Sequence, residues 1–290
     1  MVRRAPRPAL TRSPAYRVLV PVVLVLLAVI AAAVLILTGG VLLGVGPGKG
    51  GGLMRTLLPA ITSLVVLAFT TAVFARYRRR GGTHLLIWGI GLVMFAVVSL
   101  AETYATVAWH PLVFKLWYLC GAILTAAWLG QGTVFLLSKR KNLARLLLGL
   151  LVAASVLALY LVLKTPLNGD RFRSSQPLSA QYGEILSAGA AVRKLTPFFN
   201  TYGTVTLVGG ALYSAWLMYR KEVVPRRVIG NLLIAAGGVS LAFASVWLRY
   251  GLGDYLSMAE LLAAVAMFAG FVLATASPAQ ERPMPEVTAR

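Results

Sequence analysis

One cysteine, two histidines and eight acidic residues are spread through 290 positions, and only 12% of the chain is Asp, Glu, Lys or Arg. Each scarcity closes a class of chemistry. The single thiol, Cys120, excludes an intramolecular disulfide, a dithiol redox pair and a cysteine-rich metal site. His84 and His110 stand about 25 residues apart, roughly 35–40 Å along a helix, so they cannot jointly hold a haem or a metal ion. With so few acids and histidines no Ser-His-Asp set assembles. No cofactor is expected from such a composition.

What is abundant is apolar surface. The AVILMFWYC share is 59%, against about 45–50% apolar and about 25% charged in a soluble domain. The sequence therefore predicts an all-α integral membrane protein. A bilayer core of about 30 Å asks for about 20 apolar residues per helix, because a lone chain in lipid must satisfy its own backbone hydrogen bonds. Eight stretches qualify: 18–38, 56–75, 84–106, 112–138, 145–163, 199–218, 228–248 and 255–276.

The net charge of +20 then has to be placed relative to the membrane. Short loops rich in Lys and Arg stay cytoplasmic. With the N-terminus inside, segments 1–17, 76–83, 139–145, 219–227 and 277–290 hold 19 of the 28 basic residues. The alternation works only for eight transmembrane helices with both termini inside (N-in/C-in). The charge is thus an address for topology rather than a surface for nucleic acid, and the expected location is a bacterial plasma membrane.

The chain divides into a basic cytoplasmic tail (1–17), a first four-helix half (18–138), a second half (139–276) with an extracytoplasmic loop at 164–198, and a disordered cytoplasmic tail (277–290). Two local matches give the halves the look of a parallel 4+4 tandem repeat. Arg55–Pro59 and Arg193–Pro197 share R-x-L-x-P, and Leu85-Leu86-Ile87 with Gly91 matches Leu232-Leu233-Ile234 with Gly238. In the outer loop Leu178, Tyr182, Ile185, Leu186 and Val192 recur at helical spacing, with Gly189 on the same face, which predicts an amphipathic helix on the outer surface or capping the bundle.

Two motifs fail inspection. Gly48-Lys49 lacks the first glycine of a phosphate loop and has Gly50 where a magnesium-binding hydroxyl belongs. Gly251-Leu252-Gly253-Asp254 spells the G-x-G-D of intramembrane aspartyl proteases, but the only other aspartate, Asp170, lies in the long outer loop.

Ionisable residues inside spans remain, each costing about 2.5–3.5 kcal/mol at a helix centre. Glu102, Lys115, Arg249 and Glu260 all fall toward the outer ends of their helices. Aligning the two halves sets Glu102 against Arg249, with Lys115 and Glu260 in similar places of the following spans. The expectation is a compensated layer, Glu102 near Arg249 and Lys115 near Glu260. It either locks helices together or lines a pocket in which the two bases take an anionic group and the two acids a cationic or hydroxyl one, with Tyr104, Trp109, Trp117 and Tyr255 as stacking surface. Deeper, Thr125, Gly130, Gln131, Gly132 and Thr133 in the fourth span, and Asn200, Thr201, Tyr202, Thr204, Gly209, Gly210, Tyr213 and Ser214 in the sixth, form a neutral strip. Its glycines admit close helix approach, and Gln131 must find a partner there.

The function these residues fit is binding or facilitated movement of a small amphiphilic or lipid-like ligand through an outer polar zone, with Glu102, Lys115, Arg249, Glu260 and Gln131 as candidate ligand-binding residues. The alternative is a non-catalytic subunit, sensor or scaffold whose basic inner loops dock a cytoplasmic protein. A lipid-directed enzyme would need Glu102 or Asp254 as its base.

Overall fold

The computed structural model describes residues 51–220, 225–249 and 256–275, within the compact unit 49–275. The expected span 18–38, both tails, the glycine-rich stretch 39–50 and the Gly251–Asp254 motif lie outside the described residues.

Among the described residues every regular element is helical. In chain order the long ones are α1 (Gly51–Arg80), α2 (Thr83–Ala105), α3 (Pro111–Leu137) and α4 (Lys141–Lys164). A short α5 (Leu178–Ile185) follows, then α6 over 196–220, α7 (Pro225–Arg249) and α8 (Leu256–Thr275). α1 (from Leu57), α2, α3, α4 and α8 are each long and apolar enough to cross a membrane. α6 and α7 occupy the expected stretches 199–218 and 228–248. Both α3 and α6 contain a π-helical segment, Tyr118–Leu124 and Val205–Gly209.

The links are short because the residues in them end helices sharply. Gly81 and Gly82 take φ values of +64° and +104°, a region that costs a side chain and costs glycine nothing. The Gly81 amide donates to the Tyr77 carbonyl at 2.7 Å and closes α1. At the other end of α2, His110 caps α3. Its Nδ1 accepts from the Leu112 amide at 3.2 Å, and Pro111 begins the helix where no amide is needed.

In lipid, helices gain nothing by hiding apolar side chains from water, so packing and hydrogen bonds hold the bundle. Hydroxyls inside the helices turn back on their own backbone. Thr62 donates to the Leu58 carbonyl at 2.9 Å, Ser63 to Pro59 at 2.8 Å and Thr70 to Val66 at 2.7 Å. Across helices, Trp88 Nε1 donates to the Leu129 carbonyl at 3.0 Å and ties α2 to α3. A layer of Phe69, Val73, Leu85, Leu92, Leu129, Leu207, Met267 and Phe271 joins α1, α2, α3, α6 and α8. α3 and α6 meet through glycine. A Cβ on Gly203 would stand 2.4 Å from the Ala126 carbonyl carbon, and one on Gly130 would stand 2.0 Å from Thr206 Oγ1. α4 differs from the rest: only 17% of its apolar span is buried, and Leu146, Leu150, Val156 and Tyr160 face outward.

The segment between α4 and α6 folds over one end of the bundle. Leu178, Ile185, Leu186 and Val192 are all buried against Phe95, Val98, Phe114, Trp117 and Tyr118, so the apolar set read from the sequence does face inward. The helix itself is shorter than the spacing predicts. It stops at Ile185, Leu186 is extended, and Val192 reaches the core from a separate 3-10 turn, Ala191–Lys194. The Ile185 carbonyl, which a longer helix would use, accepts instead from the Asn168 amide at 2.9 Å. Gln181, buried, accepts from the Arg173 amide at 2.7 Å and donates to the carbonyls of Arg173 at 2.9 Å and Gln176 at 2.7 Å, tying the helix to the loop before it.

Gly203→Ala is expected to destabilise the detergent-solubilised protein by about 1–3 kcal/mol through overpacking. Gly149→Ala on α4, where a new methyl meets nothing within 4 Å, is expected to be neutral or slightly stabilising. Thermal unfolding followed by circular dichroism separates them, and equal midpoints would contradict the close α3–α6 contact.

Candidate functional site

α2 and α8 carry the same short pattern. Ser99-Leu100-Ala101-Glu102 closes α2 and Ser257-Met258-Ala259-Glu260 opens α8. Residues three apart share a helix face, and the serine, alanine and glutamate are buried in both copies. The two glutamates meet. Glu102, 4% exposed, and Glu260, 7% exposed, lie within hydrogen-bonding reach of one another. Trp117 Nε1 on α3 donates to Glu102 Oε1 at 3.1 Å, and Ser257 Oγ donates to Glu102 Oε2 at 3.3 Å. Glu260 Oε2 is buried with no hydrogen-bond partner.

This asymmetry has a chemical meaning. Two like charges 4 Å apart repel by about 4 kcal/mol even at an effective dielectric of about 20, so two carboxyl groups in contact are favoured as an acid and a carboxylate over two carboxylates. Glu102 has a donor on each oxygen. Glu260 has one buried oxygen, Oε2, without a donor.

Sequence position misassigned the partners. Lys115 does not join Glu260. Its ammonium donates to the Leu163 carbonyl at 2.7 Å, at the C-terminal end of α4, where free carbonyls and the helix dipole attract a cation. Glu102 meets Glu260, Trp117 and Ser257. Arg249 ends α7, and its side chain lies outside the described residues, as does Tyr255. The expected Lys115–Glu260 pair is thus replaced by an acid–acid contact, while the expected Glu102–Arg249 pair falls on a side chain outside the described residues. The repeated S-x-A-E was the sequence signal that could have paired Glu102 with Glu260.

Of the four aromatic residues expected around the site, Trp117 contacts Glu102, and Tyr255 lies outside the described residues. Trp117 lies 5.7 Å from Phe114 and 6.5 Å from Tyr182 of α5, so the segment between α4 and α6 roofs the residue that holds Glu102. Trp109 stacks on Phe172 of the same segment at 4.9 Å, while Tyr104 is exposed. Arg193 lies over the Tyr182 ring and donates to the Leu186 carbonyl at 3.2 Å. A small apolar recess opens beside Lys115, between Phe114, Tyr118, Val162, Leu167 and Val192, away from the carboxyl pair.

Gln131 belongs to a different place, 14 residues or about 21 Å down α3 from Trp117. It is fully buried. Its amide nitrogen donates to the Ala144 carbonyl at 2.9 Å and its oxygen accepts from the Tyr202 hydroxyl. One side chain thereby links α3, α4 and α6, and the flanking Gly130 and Gly132 admit Thr206 and Trp88 against it. Both amide atoms are occupied, which makes Gln131 a packing node rather than part of the carboxyl site.

No protein-family model, no curated protein and no solved structure matches the chain. The fold and site together define it as an all-helical protein with several helices of membrane-crossing length and a buried carboxyl pair.

Tyr202→Phe strands the Gln131 oxygen and is expected to cost about 1 kcal/mol, seen as a lower unfolding midpoint in detergent. Adding Gln131→Leu removes the stranded group and is expected to recover part of the loss. A further fall in the double variant would show that the bond is not what the pair contributes.

Proposed function

We propose that the chain is an eight-span protein of a bacterial plasma membrane, with both termini cytoplasmic, that binds a small amphiphilic or lipid-like ligand at its outer end or lets one pass. The observation that carries this reading is the buried, unpartnered Glu260 Oε2 beside Glu102, beneath the segment 165–195. An ammonium or hydroxyl group on the ligand would donate to that oxygen. Trp117 and Tyr182 offer aromatic faces for the apolar part. Lys115, committed to the end of α4, is not needed in this scheme. The order of short basic links and the possible 4+4 pairing of halves belong to the same proposal.

A second reading has one observation in its favour. Arg76 lies within electrostatic range of Arg80 and Arg227, and His84 within range of Lys141 and Arg76, so basic groups from four helical segments gather at one end of the bundle. An acidic cytoplasmic protein is the partner such a surface would dock.

Reporter fusions test the topology. Fusions after Arg80, Ser138 and Arg220 are expected to be active only as cytoplasmic reporters, and one within 165–176 only as an exported reporter; a reversal at any of them rejects the scheme. Binding is tested in nanodiscs with a dansyl-labelled long-chain alkylamine. Glu260→Gln and Glu102→Gln are expected to weaken it about tenfold or more, since a charge-assisted hydrogen bond contributes about 1.5–3 kcal/mol, and Lys115→Gln to leave it within twofold. Equal binding by all four proteins would remove the carboxyl pair from the function.

A further inference from the structure

We infer that Glu102, Glu260 and Ser257 form an exchange site at which a small monovalent cation, of the size of sodium, takes the place of the proton held between the two carboxyl groups. This rests on the reading of the pair as the ligand-facing part of the outer zone and names the ion that works there.

The carboxyl groups are within hydrogen-bonding reach of each other, so what fits between them is a proton or a bare ion. The oxygens set its type. Each carboxyl offers two, and the Ser257 hydroxyl keeps an acceptor lone pair while donating to Glu102. That makes five oxygens, short of the six to eight that calcium takes.

Glu260 Oε2 is the second, independent pointer. It is a polar atom sealed from solvent at this spot with nothing donating to it. A hydrogen-bonded acid pair alone would leave it idle, whereas a cation would engage it.

Among the described side chains the surroundings supply no competing charge; α7, which packs along α8 with Ser240 donating to the Ala259 carbonyl at 3.3 Å, ends in Arg249, whose side chain lies outside them. On α1, which also packs against α8, Thr62 and Ser63 are each bonded to their own helix. From α3 comes the neutral Trp117, with Lys115 turned to Leu163. Over the top, Tyr182 lies under Arg193, whose guanidinium is engaged by that ring and by the Leu186 carbonyl.

The exchange balances. Before it, one carboxylic acid donates to one carboxylate, with net charge −1. Sodium enters, the O–H bond of the acid breaks, its electron pair stays on oxygen, and the proton leaves to water. Two carboxylates and one sodium ion remain, again −1. Sodium and proton therefore compete, and sodium binding strengthens as pH rises.

The test uses the full purified chain in nanodiscs, weakly buffered with a pH-indicator dye, given pulses of NaCl, choline chloride or CaCl2 at matched ionic strength. NaCl is expected to release about one proton per chain, and choline none. Glu102→Gln and Glu260→Gln are expected to abolish the release. Ser257→Ala should raise the half-saturating sodium concentration several-fold, and Lys115→Gln should leave it unchanged. A folded wild-type protein that releases no proton with NaCl, releases one only with CaCl2, or is matched by Glu260→Gln overturns the inference. Should the glutamine variants fail to fold, sodium-dependent thermal stabilisation of the wild type decides: growth with pH supports exchange, and a flat response overturns it. Binding of the dansyl alkylamine without sodium-driven proton release rejects this inference alone, and the converse rejects only the amphiphile reading.

Discussion

An apolar medium leaves a hydrogen-bonding group no solvent to fall back on, and the arrangement of this protein follows from that demand. The backbone meets it by winding into helices. Hydroxyl side chains meet it by bonding to carbonyls one turn back, as Thr62, Ser63 and Thr70 do. Larger polar groups must look to another helix, so each becomes a fixed point between elements: Trp88 to the Leu129 carbonyl, Trp128 to Ser155 at 3.2 Å, Gln131 to Tyr202 and Ala144. Against this background of satisfied groups, two buried atoms among the described residues have no partner, the Thr125 hydroxyl and Glu260 Oε2, and only the second belongs to an ionisable group.

The helices could be read from the sequence because the demand is local. A stretch of about 20 apolar residues announces a span without reference to any other part of the chain, and the expected limits of 84–106 and 145–163 fall within a few residues of α2 and α4. The inward face of the outer segment was legible for the same reason, since Leu178, Ile185, Leu186 and Val192 are spaced to share one side. Its early end was not, because the Ile185 carbonyl bonds to the Asn168 amide, a partner 17 residues upstream that no local spacing announces.

Pairing between helices is a property of neither partner alone, and there the sequence misled. Charge logic matched Lys115 to Glu260, which the structure does not bring together, and Glu102 to Arg249, whose side chain lies outside the described residues. It could not foresee that a helix end supplies acceptors of its own, which is what holds Lys115, or that two acids would be buried against each other. The recurrence of S-x-A-E in α2 and α8 carried the information, but it is a likeness between helices that stand far apart in the chain. Gln131 was placed in a zone of close helix approach, and that expectation matches the glycines around it, although the identity of its partner, the Tyr202 hydroxyl, needed coordinates.

α4 is attached to the bundle in an unusual manner. Little of it is packed, yet Ala144 near its start, Ser155 in its middle and Leu163 at its end each hold a polar group of α3. A helix fastened at three heights and greased along the rest behaves as a gauge of its surroundings. When the bilayer thickens or thins, a span adjusts by tilting, and any tilt of α4 must strain at least one of those fastenings. Lipid composition is thereby coupled to α3, the helix from which Trp117 reaches Glu102.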